Sequence, residues 1–248
     1  MSKKLSKSLF AGMGVNMSRV PPALCLNDSR LLKIDFDLVV SDFLIHRETS
    51  SCVTFVEVGA FDGVYDDPLH DYVRNYEWSG LLIEPQPFFY EELLDAYSDR
   101  QDLMFYNGAV SFEDGSRTLY TADPETEGLP QQAGAYASFD RGNLLKDSPI
   151  PEEQICEQRV QTENLMSLIK RHDLLDVDII QVDVEGYDAN IIRMIDFDLV
   201  NPNTIQFEHL FISAQDHLGA VDILISNGYK ITASGESGND TLAYKRPK

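Results

Sequence analysis

Cys52-Val53-Thr54-Phe55-Val56-Glu57-Val58-Gly59-Ala60-Phe61-Asp62-Gly63 is the stretch that decides the fold. A short apolar, β-branched run closed by glycine reads as a strand buried on both faces. Gly59 lets the backbone turn tightly at the strand end, and Gly63 adds a second permissive position. Similar strands recur at 80–84, 103–110, 177–182 and 204–208. Helical patterns lie between them near 69–76, 88–97 (opened by Pro87), 162–172 (capped by Thr162), 189–197 and 214–227. Strand and helix in alternation imply a mostly parallel sheet with helices on both faces. The chain then ends differently, in a C-terminal antiparallel hairpin from 229–233 and 241–245 around a Gly/Ser/Asn turn.

Other segments fit around this α/β core. Residues 1–50 read as an irregular segment followed by a helix over about 29–46, with Leu31, Leu32, Ile34, Leu38, Val39 and Phe43 on its apolar face. Residues 51–248 form the main domain. Within it, 113–160 breaks the strand–helix rhythm: 116–121 alternates like an exposed strand, and 123–151 is rich in Gly, Pro, Asp, Glu and Gln. So long a connection inside a compact domain reads as an active-site lid.

The 248 residues carry 20 basic and 41 acidic side chains, a formal charge of −21. That balance argues against a nucleic-acid partner, which needs clustered Lys and Arg. No apolar run approaches the ~18 residues of a membrane span, so stable membrane insertion is not expected. The three cysteines, Cys25, Cys52 and Cys156, are widely spaced and predict reduced, buried thiols. No convincing secretion signal follows the basic start, and the expected location is cytoplasmic.

Acids mark the strand ends. Glu57 stands just ahead of the glycine turn, Glu84 ends the second strand, Asp183 and Glu185 follow 177–182, and Glu208 closes 204–208. In open α/β sheets, ligands bind beyond the carboxyl ends of the strands. A dinucleotide fingerprint needs glycine where this chain has Phe61, so close approach of a pyrophosphate is poorly supported. An acid about 20 residues past a glycine turn accepts ribose hydroxyls. Together these features indicate an adenosine ligand without a diphosphate, of which S-adenosylmethionine is the common example. The rivals are an NAD-linked sugar-modifying enzyme, disfavoured by Phe61 and the hairpin, and a non-catalytic binding module on the same fold.

Glu57-Val-Gly-Ala-Phe-Asp-Gly63, Ile83-Glu84-Pro85, Asn107-Gly-Ala-Val110, Asp183-Val-Glu-Gly186 and Phe207-Glu208-His209 occur in this order. The pattern resembles the FkbM-type S-adenosylmethionine-dependent methyltransferases, from about Ser51 to Tyr244; residues 1–50 match nothing in it. The Asp-Val-Glu-Gly turn is its most specific mark. The resemblance implies a class I, seven-stranded Rossmann-like sheet and O-methylation of a hydroxyl on a small molecule or carbohydrate, such as a glycan precursor. By it, Glu57, Gly59, Ala60 and Asp62, with Gly63, hold the methionine end of the cofactor, and Glu84 with Pro85 clamps the ribose. Asn107, Gly108 and Ala109 lie near the adenine edge, and Asp183 lies near the sulfonium and the acceptor. Ser138, in Ala137-Ser-Phe139, corresponds to a serine of the family's lid.

A hydroxyl is a poor nucleophile and must lose its proton during transfer. The candidate bases are Asp183, Glu185, Glu208 and His209. His209 has the better unperturbed pKa, near ~6.5, but it adjoins Glu208, and successive strand residues face opposite ways. The other route is a Mg²⁺ ion held by Asp183, Glu208 and Glu185, lowering the acceptor's pKa. Trp78 and the Phe88-Phe-Tyr90 run are expected in the core and the cofactor wall.

Overall fold

A computed structural model describes residues 34–47, 52–123, 126, 129, 131–235 and 237–245. The strands are β1 (Thr54–Val58), β2 (Ser79–Glu84), β3 (Leu103–Asn107), β4 (Ala109–Val110), β5 (Gly115–Ala122), β6 (Ile155–Glu163), β7 (Ile179–Val182), β8 (Thr204–Glu208), β9 (Lys230–Ser234) and β10 (Asp240–Tyr244). The α-helices are α1 (Phe36–His46), α2 (His70–Asn75), α3 (Pro87–Ala96), α4 (Arg141–Asp147), α5 (Leu165–Arg171), α6 (Asp188–Met194) and α7 (Ala214–Ser226). The main sheet has seven strands in the order β3-β2-β1-β7-β8-β10-β9. β1, β2, β3, β7 and β8 are parallel, and β10 is antiparallel to both β8 and β9. This is the seven-stranded arrangement that the resemblance implies, with the antiparallel hairpin at its end.

Alternation along each strand sorts side chains between the two faces. Val56, Val58, Leu81, Ile83, Ile180, Val182 and Phe207 join the core beneath α5, α6 and α7. Phe55, Leu82, Ile179 and Leu242 join the opposite core, with Phe36, Val39, Val40 and Phe43 of α1, Leu93 of α3, and Trp78. Trp78 is a core residue as expected, stacked on Tyr72 with ring centroids 4.6 Å apart. Glu57 and Gln181 lie two residues past Phe55 and Ile179, and Gln206 pairs across with Leu242 with Glu208 two residues on, so all four share this second face.

Several local expectations change. The described part of the first helix starts at Phe36, with Asp35 as its cap. From that start Phe36, Val39, Val40 and Phe43 fall on one stripe, and Leu38 points away, 63% exposed. Leu31 and Leu32 lie outside the described residues. The strand expected over 103–110 breaks at Gly108, whose N–H donates to Glu84 O at 3.2 Å. Beyond it, β4 leaves the main sheet and joins β6 and β5 in a separate three-stranded sheet.

The described part of 113–160 therefore holds more regular structure than its composition suggests. β5 and β6 pair antiparallel from Gly115↔Thr162 to Ala122↔Ile155. β6 escapes a hydrophobic pattern because only Val160 and Thr162 in it are buried. Thr162 does not cap α5: it sits in β6 and donates to Glu113 O, and the cap is Asn164, accepting from Met166 N at 2.9 Å. Cys52 is exposed and Cys156 half-buried, both free, so the expectation of buried thiols holds for neither; Cys25 lies outside the described residues. Among the described residues no helix is long and apolar enough to cross a membrane.

Candidate active site

The strand order reverses beside β1, where β2 lies on one side and β7 on the other. A crevice opens beyond the carboxyl ends at such a switch point. Gly59 makes the crevice by letting two turns meet: at φ +90°, an added Cβ would lie 1.8 Å from Asp183 O. The N–H groups of Gly59 and Ala60 both donate to Ile83 O at 3.0 Å. Phe61 follows with φ +47°, a conformation that costs a non-glycine residue about 1–2 kcal/mol. Two contacts hold it there. Its N–H donates to Glu84 Oε2 at 3.0 Å, and its ring lies 4.1 Å from that of Phe89.

The first cavity lies along the β1–β2 edge. Its walls are mostly apolar, with Ile83, Pro85, Ala109, Val110, Leu119 and Phe139 around the Glu84 carboxylate. Gln86 N donates to Glu84 Oε1 at 2.8 Å, so each carboxylate oxygen already accepts one backbone N–H. Those bonds favour the ionised form, but burial outweighs them and pushes Glu84 up to about 8. Gln86 also ties the 113–160 region to the rim. Its amide donates to Gly134 O at 2.9 Å and accepts from Thr121 Oγ1 at 2.6 Å.

The second cavity continues from the first past Gly59, Phe61 and Asp183. Six acids line it, namely Glu57, Asp66, Asp67, Asp183, Glu185 and Glu208, and among the described residues no lysine or arginine does. Gln181 Oε1, Glu185 Oε2 and Glu208 Oε2 are buried acceptors without a donor, while the carboxyls of Glu57 and Asp67 meet in a hydrogen bond. Burial and mutual repulsion push Glu57, Asp183 and Glu185 well above the usual carboxylate range, and Glu208 to about 11. Asp183 has its carboxylate open to the cleft, so water offsets part of its burial. The neighbouring Asp188 and Asp240 still hold it in the same direction.

Other expected site residues stand apart from these two cavities. Asp62 Oδ1 accepts from Val64 N and Tyr65 N at 2.9 and 2.8 Å, capping its own turn. Gly63 packs against α3, where a Cβ would meet Leu93 at 2.5 Å. Asn107 donates to Glu84 O at 3.0 Å, bracing the β2 end from behind. Gly108 is the break between the sheets. Ser138 is buried and donates to Glu185 O at 2.8 Å, joined there by Asn143 at 3.2 Å. These bonds fix the Asp183-Val-Glu-Gly186 turn, where Glu185 has φ +52° and Gly186 φ +103°.

His209 takes the face opposite Glu208. Its Nδ1 meets Thr241 Oγ1 at 2.9 Å, its ring lies 4.6 Å from that of His217, and burial lowers its pKa to about 4. Some lining residues were not singled out from the sequence. Gln181 shares a strand face with Asp183, two residues on, and the Asp66-Asp67 pair closely follows the glycine turn; both signals were legible. Gln86, Leu119, Phe139 and Tyr187 carried none, because only folding of the β4–β6 sheet and its neighbours brings them to the rim.

Among solved structures, the chain is similar to a methyltransferase FkbM from Methylobacillus flagellatus, at 12% identity and TM-score 0.47 over 92% of this chain and 48% of that one. It spans about half of that protein's length. It is also similar to a fibrillarin pre-rRNA processing protein from Methanococcus jannaschii, at 13% identity and TM-score 0.42 over 84% of this chain and 75% of that one. The N-terminal domain of human METTL16, in complex with SAH, aligns at 10% identity and TM-score 0.46 over 97% of this chain and 78% of that one. No curated protein matches the chain. The sequence profile described as the methyltransferase FkbM domain matches residues 57–231. The chain belongs to this family, and it is an S-adenosylmethionine-dependent methyltransferase.

Proposed function

We propose that the protein methylates a hydroxyl oxygen of a small molecule or carbohydrate in the cytoplasm. The observation carrying this reading is the pair of joined cavities, one apolar around Glu84 and one lined by acids, with no basic group among the described residues. The residues present fit S-adenosylmethionine. Glu84 has lone pairs left for ribose hydroxyls. Ala109, Val110, Leu119 and Phe139 offer apolar walls for adenine. The buried Glu57 carboxyl in the acidic cavity suits the cofactor's ammonium group. A formal charge of −21 disfavours a nucleic-acid acceptor.

When bound, the cofactor supplies an activated methyl carbon, and the C–S bonding pair stays on sulfur as the C–O bond forms. The protein orients the acceptor, excludes water and receives the proton. Asp183 fits the proton acceptor better than His209, because it opens to the cleft while His209 is bonded to Thr241. Residues 113–160 act as the cover, anchored to the rim through Gln86–Gly134 and Ser138–Glu185.

The test is turnover with a library of hydroxylated acceptors, read by product mass. Asp183→Asn is expected to reduce turnover more than cofactor affinity. Equal loss of both would place Asp183 on the cofactor instead. Stabilisation by S-adenosylmethionine with no methylated product from any acceptor would favour a binding module.

A further inference from the structure

Among the described residues, Asp183, Glu185 and Glu208 each present an oxygen within 4.8 Å of the others. An acidic cluster alone is common, but a second feature marks this one. Gln181 is only 5% exposed, lines the same cavity, and its Oε1 has no donor. Its neighbour across the β1–β7 register, Glu57, is 3% exposed and lines the same cavity. A neutral carbonyl oxygen left bare beside bare carboxylates is costly unless a ligand supplies positive charge.

The cofactor's ammonium is one such charge, and Glu57 suits it. It does not account for three further carboxyl groups whose oxygens lie within 4.8 Å of one another. Hard oxygen donors alone, in this number and span, match a divalent cation of the Mg²⁺, Mn²⁺ or Ca²⁺ class. We infer that Asp183, Glu185 and Glu208 form a divalent-cation site beside the methyl-transfer position, with remaining coordination places for acceptor hydroxyls.

Each carboxylate gives the ion one oxygen. The second oxygen of Asp183 stays free for the proton released when the hydroxyl oxygen bonds to the methyl carbon. The preferred acceptor would then carry two adjacent hydroxyls, able to chelate the ion. This acceptor class rests on the methyl-transfer reading above, whereas the ion site itself can be tested without it.

Metal-stripped full-length protein is titrated with Mn²⁺ alone, following the free-ion electron paramagnetic resonance signal, and Mg²⁺ and Ca²⁺ are then added as competitors. One saturable ion per chain is expected. Glu208→Gln and Glu185→Gln are each expected to weaken it by about tenfold or more, since affinity follows ligand charge. Glu153→Gln, on the surface, should leave it unchanged. Retained melting behaviour and S-adenosylhomocysteine binding show that the variants fold. Three results would overturn the site: no saturable Mn²⁺ binding, binding indifferent to both site variants, or competitive displacement of Mn²⁺ by S-adenosylhomocysteine. If the homocysteine product binds and Mn²⁺ does not, the ion site fails and the methyl-transfer reading stands. Mn²⁺ binding without any nucleoside binding upholds the ion site and overturns the methyl-transfer reading.

Discussion

Glu84→Ala removes one side chain with two separable consequences. The carboxylate accepts from Phe61 N and Gln86 N, both on residues largely shielded from water. Each donor left unpaired costs about 1–3 kcal/mol, so ligand-free stability should fall by about 2–6 kcal/mol. In a chain of this size that corresponds to about 2–4 °C of melting temperature per kcal/mol. Phe61 also loses the bond that helps hold it at φ +47°. Loss of the hydrogen bonds to ribose should cost another ~1–3 kcal/mol of binding, a weakening of about 5- to 150-fold. Thermal denaturation without ligand reads the first quantity, and calorimetric titration with S-adenosylhomocysteine reads the second. Glu84→Gln retains one acceptor but turns amide hydrogens towards the other backbone N–H, and it should fall between wild type and alanine in both assays. Unchanged nucleoside affinity in Glu84→Ala would refute the ribose role, and unchanged melting would refute the backbone-bracing role.

Acid titration should show up in the stability of the ligand-free protein. Folding raises Glu84 to about 8, Asp188 to about 7 and Asp240 to about 6, so the folded state binds protons more tightly than the unfolded one. That contribution is complete below the unfolded carboxylate range and is lost as pH climbs through the folded values. The melting temperature should therefore fall between pH 5 and pH 8, with an upper bound of roughly 1.4 kcal/mol for each tenfold gain in proton affinity on folding; a flat or rising profile contradicts it. Gly59→Ala forces a Cβ onto Asp183 O at a positive φ and should separate the β1 and β7 turns, costing both stability and nucleoside binding by melting and calorimetry. Gln86→Ala cuts the link from the rim to Gly134 and Thr121. It should speed proteolysis within 123–150 while nucleoside affinity changes less, and equal cleavage rates would remove Gln86 as an anchor.

The parallel core was legible because its strands are short, apolar and closed by glycine or proline, and because the acids at their ends interrupt otherwise hydrophobic runs. Glu57, Glu84, Asp183, Glu185 and Glu208 were all found this way, and all five line the two cavities. Illegible parts share a different physics. β6 is half-exposed and lacks a hydrophobic period, so composition alone made the region around it look like a loop. Leu38 belongs to an apolar stripe only if the helix begins earlier than Phe36. His209 was ambiguous until the strand phase was known: one residue's step puts it beside Thr241 and His217 on the face away from Glu208. The cavity walls from Leu119 and Phe139 depend on a sheet that no local pattern announces.

A crystal structure of the full chain with S-adenosylhomocysteine tests the central claim most directly. The account predicts the nucleoside between Pro85 and Ala109, both ribose hydroxyls on the Glu84 carboxylate, and the amino-acid end at Gly59 and Glu57. A nucleoside seated elsewhere, or a Glu84 carboxylate bonded only to Phe61 and Gln86 with the ribose out of reach, would contradict it.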